Sequence, residues 1–165
     1  MAFRLRRLLV AALAATVATA LSARSGFTWE ELNVIDQRWP QAQKTTTGLR
    51  YVVQQEGHGE RPKPGDSVSV LYRGFFFDGR SFDESLDRTR PFTFRLGRGQ
   101  IIEGWEEGIS LMRVGEKRVL IVPYDLAYGS RGQPPRIPRQ TSLVFEVEVL
   151  AIEPNPVPPP AVSAR

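Results

Sequence analysis

The run SVSVLYRGFFFDG, residues 67–79, alternates apolar Val68, Val70 and Tyr72 with polar Ser67, Ser69 and Arg73 before reaching Asp78-Gly79. A period of two is the signature of a strand with one buried face. Asp-Gly supplies the positive φ of a tight turn, so the run reads as a half-buried strand entering a turn. Working outward, Phe92, Phe94 and Leu96 repeat the pattern after Pro91, and Leu143, Phe145, Val147 and Val149 repeat it against Thr141, Glu146 and Glu148. Residues 49–55 and 116–122 add two more strands, giving five, and no long crossover segment separates them, so they pair antiparallel. Ile102, Trp105, Ile109 and Met112 recur at helical spacing, with Glu103, Glu106 and Glu107 on the opposite, solvated face. The expected fold is α+β: one twisted, five-stranded antiparallel sheet wrapped around a short helix.

Composition narrows the chemistry. The 165 residues fit one domain with short extensions, and 14 Gly, 13 Pro and 10% aromatic residues exclude an all-helical bundle. With no cysteine, thiol nucleophiles, disulfides and Cys-ligated metals are excluded. His58, the single histidine, stands between Gly57 and Gly59 in a loop, which excludes multi-His metal sites and leaves it as an exposed bystander. Glu103, Glu106 and Glu107 lack the Glu-x-x-His partner of a carboxylate metal centre. Gly97-Arg98-Gly99 lacks the continuation of a phosphate loop and reads as a turn before the helix.

The ends differ from the centre. Residues 1–23 carry Arg4, Arg6 and Arg7, then an Ala/Leu/Val stretch, then Ala18 and Ala20 in A-x-A register, the pattern of a signal peptide. The alternative is a membrane anchor, but only 16 residues separate Arg7 from Arg24, and a span needs about 20. Without those three arginines, 19 basic residues face 18 acidic ones with no cationic block, so nucleic acid is not an expected partner. Within 24–47, Thr28-Trp29-Glu30-Glu31 has capping-box spacing, and a short helix to about Trp39 presents Leu32, Ile35 and Trp39 either to the domain or to a partner. The main domain spans 48–153, and the proline-rich residues 154–165 read as a solvated tail.

What remains is a surplus of aromatics. Tyr72, Phe75, Phe76, Phe77, Phe82, Phe92, Phe94, Trp105, Tyr124, Tyr128 and Phe145 exceed what one sheet face and one helix face can hide, and loop aromatics over a sheet make a concave apolar pocket. Tyr72-Arg73-Gly74, Ser81-Phe82-Asp83, Arg90-Pro91-Phe92, Gly104-Trp105-Glu106-Glu107-Gly108, Ala127-Tyr128-Gly129 and Ile137-Pro138, in this order over about residues 49–152, resemble the FK506-binding-protein family of peptidyl-prolyl isomerases.

The resemblance implies a half-barrel sheet and a pocket for the proline ring of an extended peptide. It implies Trp105 as floor, with Tyr72, Phe92, Ile102 and Phe145 as walls. Phe82 and Tyr128 would flank the prolyl bond, Ile101 would offer its backbone amide, and Asp83, oriented by Arg88, would face the rotating amide. Gln133, Arg136 and Ile137 belong to the overhanging loop; Gln133 stands where His is frequent and Arg136 where an apolar residue is usual. The implied partners are proline-containing polypeptides, with macrolides of the FK506 and rapamycin type as further ligands; no cofactor and no metal is implied. Two functions follow: an exported isomerase, placed in a bacterial periplasm or alternatively a thylakoid lumen, or a non-catalytic peptide-binding module with the same fold.

Overall fold

The structure, a computed structural model, describes residues 26–155, so the expected signal peptide and most of the proline-rich tail lie outside the described residues. In chain order the elements are α1 (Trp29–Arg38), β1 (Gln43–Lys44), β2 (Arg50–Gln55), β3 (Ser67–Phe75), β4 (Ser81–Ser85), β5 (Phe92–Arg95), α2 (Glu103–Ser110), β6 (Lys117–Val122) and β7 (Leu143–Glu153). A 3₁₀ turn at Tyr124–Leu126 follows β6. The sheet runs β1-β2-β6-β7-β3-β4, with β5 also on β3, and every pairing is antiparallel.

The expected α+β architecture holds, but the sheet has seven strands rather than five. The two unanticipated strands are short and polar: Gln43–Lys44 and Ser-Phe-Asp-Glu-Ser. Neither has the β-branched residues that mark strands; β4 exists because the Asp78-Gly79 turn folds it back so that Asp83 pairs with Gly74 and Ser85 with Tyr72. Gly79 takes the positive φ that turn requires, 91°.

Two apolar layers flank the sheet. On the inner face α2 lays Trp105 and Ile109 against Val70, Leu120, Val122, Phe145 and Val147. On the outer face Leu32, Ile35 and Trp39 of α1 pack with Val52, Val119, Ile121 and Val144. The α1 helix therefore docks on its own domain. Its capping box is present: the Thr28 hydroxyl accepts from Glu31 N–H at 3.2 Å, and the Glu31 carboxylate accepts from Thr28 N–H at 2.8 Å. Coverage on both sides explains why β6 reads as the unbroken apolar run Val119–Val122 rather than an alternation.

The glutamates of α2 need a correction. Glu103 is exposed, but Glu106 accepts hydrogen bonds from Gly97 N–H at 2.6 Å and Gly99 N–H at 3.3 Å, and Glu107 accepts from the Thr47 hydroxyl at 2.5 Å. Two of the three tie loops to the helix instead of facing water. His58 is an exposed loop residue, as expected, bridged by its backbone to Val114.

Candidate functional site

Where α2 crosses the inner face, β3, β4, β5 and β7 and the segment after the 3₁₀ turn enclose a cavity of about 190 Å³. Trp105 forms its base and is 4% exposed. The rings around it meet edge to face: Tyr72 at 4.9 Å and 84°, Phe145 at 5.2 Å and 81°, Phe92 at 6.1 Å and 77°. Phe82 in turn stands edge-on to Phe145 at 5.6 Å. Such T-shaped pairs are the favoured arrangement of aromatic quadrupoles and fix the wall without any polar contact. Gly74 makes this possible, since a Cβ there would fall 2.6 Å from the Phe82 ring and 3.1 Å from that of Phe145.

The polar edge is small. Tyr72 Oη donates to Asp83 Oδ2 at 2.8 Å, and Asp83 Oδ1 accepts from Glu84 N–H at 3.1 Å. Burial and the hydrogen bond to Asp83 push the Tyr72 hydroxyl far above the usual phenol range. Tyr128 is also raised, first by burial and then by the Asp83 charge, with Arg136 pulling the other way. Both phenols therefore stay protonated at neutral pH.

Nine of the residues expected at the site line the cavity together: Tyr72, Phe82, Asp83, Phe92, Ile101, Ile102, Trp105, Tyr128 and Phe145. Four do not. Arg88, expected to orient Asp83, instead donates both of its contacts to Glu148, at 2.7 and 2.8 Å. Burial alone would raise the Glu148 carboxyl, but Arg88 and Lys117, 3.4 Å away, hold it below its ordinary value. The cation that does face Asp83 is Arg136, Nη1 to Oδ1 at 3.4 Å, outside the lining itself. Ile137 is 1% exposed and belongs to the core, while Gln133 is exposed and pairs with Ile137 through its backbone. Gln100 joins the lining unanticipated; its Oε1 accepts from Arg95 N–H at 2.8 Å, and only its place beside Ile101 could have signalled it.

Among the described residues no group of acidic, histidine or cysteine side chains is arranged to hold a metal ion, and no helix is long and apolar enough to cross a membrane. Residues 58–150 match the family described as FKBP-type peptidyl-prolyl cis-trans isomerase. FK506-binding protein 1A of Aspergillus fumigatus is 45% identical over 106 residues, which is 64% of this chain and 95% of that protein. Among solved structures, FkpA from Escherichia coli superposes with a TM-score of 0.69 at 36% identity, covering 94% of this chain and 70% of its own. A peptidyl-prolyl cis-trans isomerase from Pseudomonas syringae pv. tomato gives 0.66 at 32% identity, covering 76% and 92%.

Proposed function

The chain belongs to the FKBP-type peptidyl-prolyl cis-trans isomerase family, and from that premise we propose that it accelerates X-Pro rotation in exported proteins as they fold, by distorting the amide in its aromatic cavity. The observation that carries the mechanism is the lining: six aromatic residues, two of them neutral tyrosines, three aliphatic or amide side chains and one carboxylate, Asp83. X-Pro isomers are nearly equal in energy but are separated by roughly 18–20 kcal/mol, because rotation breaks amide resonance. No bond to a nucleophile is needed to lower that barrier. A proline ring seated on Trp105 leaves the planar, charge-separated amide without the water that stabilises it, while the twisted amide loses less. Tyr128, kept protonated, donates to a ligand carbonyl, and the edges of Phe82 and Tyr128 contact the rotated bond.

A protease-coupled assay on proline peptides tests this directly. The expected result is acceleration of a step that otherwise takes tens to hundreds of seconds. Binding of the peptides without acceleration would favour a non-catalytic binding module. The kcat/KM is expected to vary by less than about twofold between pH 6 and 8, because no proton moves in the rate-limiting step. Both site phenols are shifted upward and remain neutral across that window. His58→Ala serves as control; a slope near tenfold per pH unit that persists in this variant would replace distortion with acid–base catalysis.

We also place the protein outside the cytoplasm, with a bacterial periplasm favoured, on the strength of the arginines, apolar stretch and A-x-A register of residues 1–23. Intact-mass analysis of the exported form should show a new N-terminus near Leu21 or Arg24. A soluble exported form that retains Met1 would overturn this placement.

A further inference from the structure

The loop above the cavity, residues 129–140, carries Arg131, Arg136 and Arg139 and no acidic residue. All three arginine side chains are exposed, and among the described residues only Arg136 has an ion pair, the one with Asp83. Its Cα is held firmly in place. The neighbouring Ile137 is anchored in the core, and Gln133 and Ile137 exchange two backbone hydrogen bonds of 2.9 Å. Gly132 N–H donates to Tyr128 O and Gln140 N–H to Gly129 O, both at 3.1 Å, so the loop is tied to the cavity at Tyr128. At Gly132 the two arms come so close that a Cβ would meet Pro138 O at 2.4 Å.

Asp83, by contrast, is already engaged, by the Tyr72 hydroxyl on Oδ2 and by Glu84 N–H on Oδ1. The Arg136 side chain is 57% exposed, and its contact with Asp83 spans 3.4 Å, longer than a good hydrogen bond. A guanidinium has five N–H donors in a rigid fork suited to a carboxylate, so most of this one is unspent.

We propose that Arg136 determines specificity in the isomerase reaction by favouring peptides with Asp or Glu immediately before the proline. The inference rests on the proposed seating of the proline ring on Trp105. With the ring there, the Cα of the preceding residue lies only roughly 3–4 Å from that of the proline and stays at the rim, where the net charge of the overhanging loop is positive. A substrate carboxylate can take the free donors of Arg136 while Asp83 keeps its own. Because the arginine is largely exposed, the gain is modest, about two- to fivefold, and salt screens it.

The test compares kcat/KM of the purified protein on Glu-Pro, Gln-Pro, Lys-Pro and Leu-Pro peptides at low and high salt. The Glu-Pro to Gln-Pro ratio is expected to be about two- to fivefold higher in the native protein than in Arg136→Gln, and to shrink in about 1 M salt. Arg136→Glu should favour Lys-Pro, and Arg136→Lys should keep most of the native ratio. If Leu-Pro is isomerised but the Glu-Pro to Gln-Pro ratio is the same in the native protein, Arg136→Gln and Arg136→Glu, the role of Arg136 falls and the isomerase reading stands. If no peptide is isomerised, both fall.

Discussion

Trp105→Ala is expected to destabilise the protein by about 3–5 kcal/mol and to abolish measurable isomerisation. The side chain is almost wholly buried and contacts the rings of Tyr72, Phe92, Phe94 and Phe145, so its loss opens a void under both the core and the cavity. The stability change is read from urea unfolding midpoints at constant slope. Trp105→Phe separates the two roles. The indole N–H has no hydrogen-bond partner, so the exchange sacrifices volume and no hydrogen bond. It should retain most of the stability while lowering kcat/KM. A loss below about 1 kcal/mol in Trp105→Ala, within the range of surface substitutions, would contradict the placement of α2 on the sheet.

A comparable loss, about 3–5 kcal/mol, is expected for Glu116→Ala, far from the cavity. Glu116 and Arg118 are 1% and 5% exposed and form an ion pair through Arg118 Nε. Glu116 also accepts from Arg113 N–H at 2.8 Å, and Arg118 donates to Leu111 O at 2.9 Å while its guanidinium lies 4.6 Å over the Tyr51 ring. Together they staple the turn after α2 to β6. Removing the carboxylate leaves a buried cation with one nitrogen already unpartnered. The double variant Glu116→Leu/Arg118→Met should recover much of the loss, since an apolar pair of similar volume escapes the desolvation cost of the ions. A double-mutant cycle gives the coupling, and strictly additive losses would show that the two charges act independently.

The features legible in the sequence were those with a period or a fixed local spacing. The alternation around Tyr72, the helical spacing of Ile102, Trp105 and Ile109, and the capping box at Thr28 each follow from geometry within a few residues. The surplus of aromatics calls for a pocket but does not say which rings line it; Phe82, Phe92, Tyr128 and Phe145 are singled out by the resemblance of their motifs to the FK506-binding-protein family. The polar edge was not legible. Whether Asp83 meets Arg88 or Arg136 depends on which of two arginines the tertiary fold brings near, and no spacing along the chain encodes that. The same holds for Glu106, whose partners Gly97 and Gly99 precede it in a loop, and for β4, whose pairing with β3 outweighs its weak strand composition. Ile137 misled for a different reason: it lies beside the rim residue Arg136 in sequence, yet its side chain points into the core.

The strand order has a consequence for when the protein can act. β1, β2 and β6 form one group and β3, β4 and β5 another, and among the described residues the only strand pairings joining them run through β7. β7 is the last of the seven to be synthesised, and it brings Phe145 to the cavity. A growing chain that has reached residue 140 holds every other lining residue but has neither half of the sheet joined to the other. Local turns and hairpins can form as they emerge, whereas pairings such as Ser67 with Glu153 must wait and are slow to close. Until β7 is in place the cavity lacks Phe145 and the strand that joins the two halves of the sheet around it.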